Sequence, residues 1–236
     1  MNLSLFLTLL SGIAWTIVYI DCIRLGFRDK TYGMPFWALV LNIAWEVIYS
    51  FLGLKNISTS VQESVNIAWF LFDCCILVTY FRYGYKEFPK VFSLKTFYAW
   101  GILGLICSLL IQHQFYVEFG DYLAETYSAF LQNLLMSILF IDMLVKRNTS
   151  KGQSMLIAVS KMAGTAAPTI LFGCLDTNSN GKANHLALLL GILIFVVDNI
   201  YAVLLYRTIQ KEKAAPKATI IAENTEQTVT YTSRTL

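Results

Sequence analysis

The sequence predicts an all-α polytopic membrane protein, seven transmembrane helices in one bundle, N-terminus outside and C-terminus cytoplasmic. Three observations predict it. Charged residues are only 14% of the 236 and hydrophobic ones 56%, with mean hydropathy +0.57. The hydrophobic residues fall into runs of bilayer length, and lysines and arginines alternate from loop to loop. A water-soluble domain carries roughly 25% charged residues, so this chain is too poor in charge to cover a water-facing surface.

A bilayer core needs about 20 apolar residues per helix. Runs of that kind lie at about 3–25, 34–54, 61–82, 95–113, 122–145, 153–174 and 184–207. In lipid the backbone must pair within the segment, which makes spans of this length helices. The ten-residue alternating segments of a β-barrel are missing. The first run has no positively charged leader and reads as a span rather than a cleaved signal peptide.

The basic residues fix the expected orientation. Arg24, Arg28 and Lys30 follow the first span; Arg82, Lys86, Lys90 and Lys95 the third; Lys146, Arg147 and Lys151 the fifth. Arg207, Lys211, Lys213, Lys217 and Arg234 follow the seventh. The opposite side keeps only Lys55 and Lys182, and Lys161 lies within a span. The positive-inside rule then puts the C-terminus in the cytoplasm, which requires an odd number of spans. Residues 1–211 are expected to form one domain. Residues 212–236, polar and without helical period, are expected to be a flexible cytoplasmic tail.

Composition excludes several classes. A net charge of +3 is too small to indicate nucleic-acid binding. Cys22, Cys74, Cys75, Cys107 and Cys174 are an odd set in apolar runs and read as small hydrophobes, not a disulfide framework. His113 and His185 sit at span ends, and no cluster has zinc spacing. DTNSNG at 176–181 opens like a calcium loop, but Ala187 stands where a bidentate carboxylate would close it, so it reads as a plain turn. There is no phosphate-binding glycine motif, no G-x-S-x-G and no aspartate-rich DDxxD or DxDD run. Asn56-Ile57-Ser58 fits a glycosylation acceptor on the outer side in a eukaryotic host. NIAW occurs in both span two and span three, which run in opposite directions, so it does not mark a duplicated unit.

Ionisable groups at bilayer depth cost at least about 2.5–3.5 kcal/mol each on insertion scales and are functional candidates for that reason. Asp21, Asp142 and Glu125 lie near span ends, within reach of headgroups or water. Lys161 is deeper and reads as a snorkelling side chain or a structural counter-ion. Glu46, Asp73 and Asp198 lie near mid-span, with no Lys or Arg one turn away. At 100° per residue, Asn42, Trp45, Glu46 and Tyr49 share an arc of roughly 100°. Asn66, Trp69, Phe70 and Asp73 do the same on span three. Tyr201 and Phe195 neighbour Asp198 in span seven, and Trp15 and Tyr19 are one turn apart in span one.

These are carboxyl groups among aromatic faces. A carboxyl group in a low-dielectric site tends to keep its proton and can then act as a general acid. Aromatic faces attract cations. Together they suit protonation of an alkene or epoxide and a travelling carbocation. They also suit a proton-coupled small-molecule transporter. Against that alternative stand the missing three-plus-three repeat and the lack of paired Gly/Pro-broken helices; only Pro168 is well inside a span. A retinal protein is excluded by the lack of a lysine in span seven.

TYGMPFWALVLNIAWEVIYSF at 31–51 resembles the small integral-membrane terpene cyclases of fungal meroterpenoid and indole-diterpene pathways, which have bacterial relatives. GIAWTIVYIDCIRLGFRDKTYGM at 12–34, KRNTSKGQSM at 146–155 and VVDNIYAVLLY at 196–206 extend the likeness over most of the core. The resemblance implies two essential acids, in spans two and seven, which are Glu46 and Asp198 here. It implies protonation of a terminal epoxide, or of the terminal alkene in bacterial relatives, on a prenylated head group. Glu46 is then the expected donor, with Asp198 holding it or sharing its proton. Trp15, Tyr19, Asn42, Trp45, Tyr49, Asn66, Trp69, Phe70, Asp73 and Tyr201 are the expected substrate-binding and orienting residues. Asp73 departs from the family pattern and is expected to assist, to tune Glu46, or to pair with Lys161. No metal, cofactor, nucleic acid or obligate protein partner is expected. The expected partners are a hydrophobic prenylated substrate and the bilayer itself, that of the endoplasmic reticulum in a eukaryote or the plasma membrane in a bacterium.

Overall fold

A computed structural model of the chain describes residues 3–55, 61–175 and 183–233, the side chains of 51–64 and 216–233 excepted. The described residues are helical, with turns and no strand: α1 (Leu3–Asp29), α2 (Phe36–Lys55), α3 (Val61–Tyr83), α4 (Leu94–Arg147), α5 (Met155–Gly173) and α6 (His185–Ser233), with a short 3₁₀ turn at Gly84–Lys86. The acceptor triplet at 56–58 and the turn at 176–181 lie outside the described residues.

By length and composition, five of these helices can cross a membrane, through Leu3–Asp29, Val65–Lys86, Leu94–Arg147, Met155–Gly173 and His185–Ala215. Seven spans were expected, and two facts account for the difference. In α2 the described apolar stretch, Phe36–Ser50, is shorter than a full crossing. In α4 two expected spans run together without an intervening loop, and they part at Gly120, whose backbone is non-helical (φ 68°, ψ 174°). A straight helix would put Gln112 and Gln132 about 30 Å apart at 1.5 Å per residue. Instead Gln112 Nε2 donates to Gln132 Oε1 at 2.7 Å, and the Phe119 and Tyr127 rings lie 5.8 Å apart. The chain therefore doubles back at Gly120, a position that only glycine occupies without strain.

Helix ends follow ordinary capping chemistry. Ser93 and Ser154 accept from the backbone N–H groups of Thr96 and Ile157, and Asn184 accepts from that of Ala187. Asn148 ends α4 in the left-handed conformation (φ 47°). Pro168 within α5 has no N–H for the Gly164 carbonyl one turn back. Ser11 of α1 supplies the missing donor, its hydroxyl 2.8 Å from Gly164 O. Gly164 also lets α1 approach, since a Cβ there would stand 2.8 Å from Trp15 Cδ1.

The main helix contacts run α1–α3–α2–α4–α6–α5 and back to α1, closing a ring. Its interior holds a core that includes Val18, Tyr19, Leu39, Ile76, Phe140 and Tyr201. The polarity is inverted relative to a water-soluble protein. Ile13, Leu71, Leu110, Leu189 and Val203 are exposed, while Asn42, Glu46, Asp73, Lys161 and Asp198 are buried. All five cysteines are unpaired.

The basic loops converge at one end. Arg147 Nε donates to Glu87 and its Nη1 to Tyr32 O. The Thr31 hydroxyl donates to Glu87, the Gly152 N–H to Asp29, and the Ser154 hydroxyl to Asp21. Asp21, expected to reach water, is thus buried, and its ion-pair partner Arg24 is the exposed member. Thr149 and Ser150 donate to Glu212, where the tail was expected to begin. The backbone of α6 continues as helix past that point to Ser233. A cleft of about 790 Å³ opens at this end, between Tyr32, Trp37, Trp100 and Arg147.

Candidate active site

The acids occupy two stations inside the ring. At the first, α1 and α2 meet across the interior. The Tyr19 hydroxyl donates to Glu46 Oε1 at 3.0 Å and accepts from Asn42 Nδ2 at 3.2 Å. Asn42 and Glu46 are one turn apart on α2, so both reach the same phenol. Glu46 is 1% exposed and Asp73 fully buried. Asp73 lies beside Glu46, Tyr19 and Cys22, and Asn42 faces it too. Neither Asp73 oxygen has a hydrogen-bond partner among the described residues, and neither does Glu46 Oε2. Trp69 and Phe72 flank the Tyr19 ring at 5.8 and 6.4 Å, and Trp69 Nε1 donates to the Thr16 hydroxyl.

The second station joins α4, α5 and α6. Lys161 Nζ donates to both Asp198 oxygens at 2.9 Å and to the Ser137 hydroxyl at 2.6 Å. All three ammonium protons are thereby used, and Lys161 and Asp198 are 0% and 1% exposed. Asn133, one turn before Ser137, donates to Thr165 on α5. The Trp15 ring links the stations, 6.0 Å from Lys161 Nζ and 6.2 Å from the Tyr19 ring.

Several expectations are corrected by this geometry. Lys161 neither snorkels nor pairs with Asp73; its counter-ion is Asp198. Glu46 is hydrogen-bonded to Tyr19, not to Asp198, and its nearest acid is Asp73. Trp45 and Tyr49 turn away from Glu46 toward α4, where Trp45 Nε1 donates to Glu125 O and both rings pack against Ala124. The hydroxyl of the buried Tyr201 donates to Gln153 at the loop end, and its ring packs against Phe140. Phe70 packs at the edge of the main core, and Asn66 is buried. Trp15, Tyr19, Asn42, Glu46, Trp69 and Asp73 are brought together at the first station. Ser137 and Thr16 were not foreseen, because hydroxyl residues in apolar helices usually back-bond and carry no sequence signal.

Carboxyl oxygens, a phenol and aromatic faces in a buried interior can deliver a proton and shelter a cation. Among the described residues no group of three His, Cys, Asp or Glu side chains is placed to hold a metal ion.

The comparisons with known proteins point the same way. No solved structure matches the chain. The Pyr4-family terpene cyclase mfmH of Annulohypoxylon moriforme is 28% identical over 213 residues, 88% of this chain and 87% of its own length. The terpene cyclase adrI of Penicillium rubens is 30% identical over 71% of this chain and 68% of its own. The asnovolin H synthase nvfL of Aspergillus novofumigatus is 30% identical over 67% and 65%. The family model for Pyr4-like transmembrane terpene cyclases matches residues 1–212, which include every helix that positions the two stations, and the chain belongs to that family.

Proposed function

We propose that the chain is a metal-free, membrane-embedded terpene cyclase. It protonates the terminal epoxide or alkene of a prenylated meroterpenoid or indole-terpenoid substrate and guides the carbocation into rings. The observation that carries this reading is the Glu46–Tyr19 hydrogen bond inside a fully buried, aromatic-walled cluster. Family membership favours it over a proton-coupled transporter.

With an epoxide, the Glu46 proton passes to the ring oxygen and the C–O bond breaks, leaving a hydroxyl and a tertiary cation. Successive alkene π pairs close the rings. A final C–H bond gives its electrons to a new alkene and its proton to a carboxylate. Glu46 is the general acid, oriented by Tyr19 and Asn42. Trp15, Tyr19 and Trp69 offer ring faces to the travelling charge. A carboxylic acid is a sufficient proton source, so the step calls for no metal or cofactor.

The proposed topology has seven crossings, N-terminus outside. The two limbs of α4 supply two of them and α2 one. The support is the meeting of the basic loops after α1, α3 and α4 with Glu212 of α6 at one end of the bundle. The greasy substrate enters from the bilayer, of the endoplasmic reticulum in a fungal host or the plasma membrane in a bacterial one. The test incubates membranes bearing the protein with farnesylated and geranylgeranylated aromatic compounds and their terminal epoxides. Products of unchanged mass with fewer alkenes by NMR are expected. Uptake into vesicles with the substrate chemically unaltered would sink the reading.

A further inference from the structure

We propose that Glu46 and Asp73 share the initiating proton, while Asp198 is taken up by Lys161 and stands outside that pair. This rests on the cyclase reading, and names Asp73 as a positioning residue for its proton donor.

The hydrogen-bond inventory of the first station leads there. The Tyr19 hydroxyl has one proton, spent on Glu46 Oε1, and its own oxygen is taken by Asn42. That leaves Glu46 Oε2 and both oxygens of Asp73 buried without a well-formed hydrogen bond, the Asn42 amide being the one donor among the described residues that faces Asp73. Two bare carboxylates side by side in a low-dielectric interior repel each other, and each forfeits the hydrogen bonds it had in water. A single shared proton removes one of the two charges.

The second station has no such vacancy. Asp198 receives two hydrogen bonds from Lys161, whose third proton goes to Ser137. Both oxygens of Asp198 are therefore already partnered. Its position, reached from the first station through the Trp15 ring, suits it to stabilise positive charge that has moved away from Glu46.

The test is infrared difference spectroscopy on the purified full chain in lipid nanodiscs, without substrate. Wild type minus Glu46→Gln is expected to give the C=O stretch of a protonated carboxyl group. Asp73→Asn is expected to move or abolish that band. Asp198→Asn paired with Lys161→Met, which deletes the ion pair without stranding a charge, is expected to leave it in place. With substrate, Asp73→Asn is expected to lower kcat about 10- to 100-fold with KM little changed, and Asp73→Glu to restore part of it. A Glu46 band indifferent to Asp73→Asn, a band lost with the Lys161/Asp198 pair, or no protonated band at all would overturn the proposal. Because the spectra need no turnover, a chain that shows the expected bands yet converts no prenylated compound would count against the cyclase reading alone.

Discussion

Tyr19 and Glu46 are joined at 3.0 Å from helices α1 and α2, which are not main neighbours in the ring. The bond spans the interior and fixes the rotamer of the proposed acid. Tyr19→Phe keeps the ring between Trp15 and Trp69 and removes only the hydroxyl. It is expected to lower kcat about tenfold, equivalent to about 1.4 kcal/mol of barrier, with thermal stability nearly unchanged. Steady-state kinetics beside a thermal melt in detergent checks this; a wild-type rate would remove the phenol from the orienting role.

Lys161 and Asp198 make the opposite case, in which the energetics are mostly structural. Lys161→Met strands a buried carboxylate, and breaking such a pair destabilises by about 3–5 kcal/mol. The Lys161→Met/Asp198→Asn double variant is expected to recover most of that loss. Comparative unfolding of the single and double variants measures it. Equal destabilisation of both would show that the pair does not act as a unit.

Gly164 sets how far Trp15 reaches into the site. Gly164→Ala places a Cβ 2.8 Å from Trp15 Cδ1, closer than side chains pack. Overpacking of this kind costs roughly 1–3 kcal/mol. The expected outcome is a lower melting temperature together with an altered product ratio, read by chromatography of the terpenoid products. A loss of stability with an unchanged product ratio would mean that Trp15 does not touch the reacting chain.

The fold back at Gly120 is testable by cross-linking. In a cysteine-free background, Gln112→Cys with Gln132→Cys is expected to react with a short bifunctional maleimide, so that cleavage between 113 and 131 leaves one band. Two separate fragments would mean an open α4.

Much of this arrangement was legible in the sequence, and the exceptions have physical causes. Glu46, Asp73 and Asp198 stood out because a carboxyl group at bilayer depth is expensive wherever it points. Which partner each one takes depends on helix rotation, and a 100° arc is too coarse to give it. Asn42 and Glu46 are 40° apart on α2 and look toward Tyr19. Trp45 and Tyr49, in the other half of the same arc, look toward α4. The Lys161–Asp198 pair rests on how α5 seats against α1 and α6, which is governed by Gly164, Pro168 and Ser11, small or unassuming residues whose role appears only once the helices are packed. The basic loops, read as a topology signal, turned out also to be laced together through Glu87, Arg147 and Glu212. Gly120 stood between two expected spans, but sequence alone did not show that helix would run up to it from both sides.

The most direct test of the central claim is the rate at which Glu46→Gln converts an epoxidised prenyl-aromatic substrate, measured on protein whose melt and membrane yield match wild type. Loss of the general acid predicts a fall of about 10²- to 10⁴-fold, with unreacted epoxide recovered. Conversion at the wild-type rate would contradict the account, because no proton from Glu46 would then be needed.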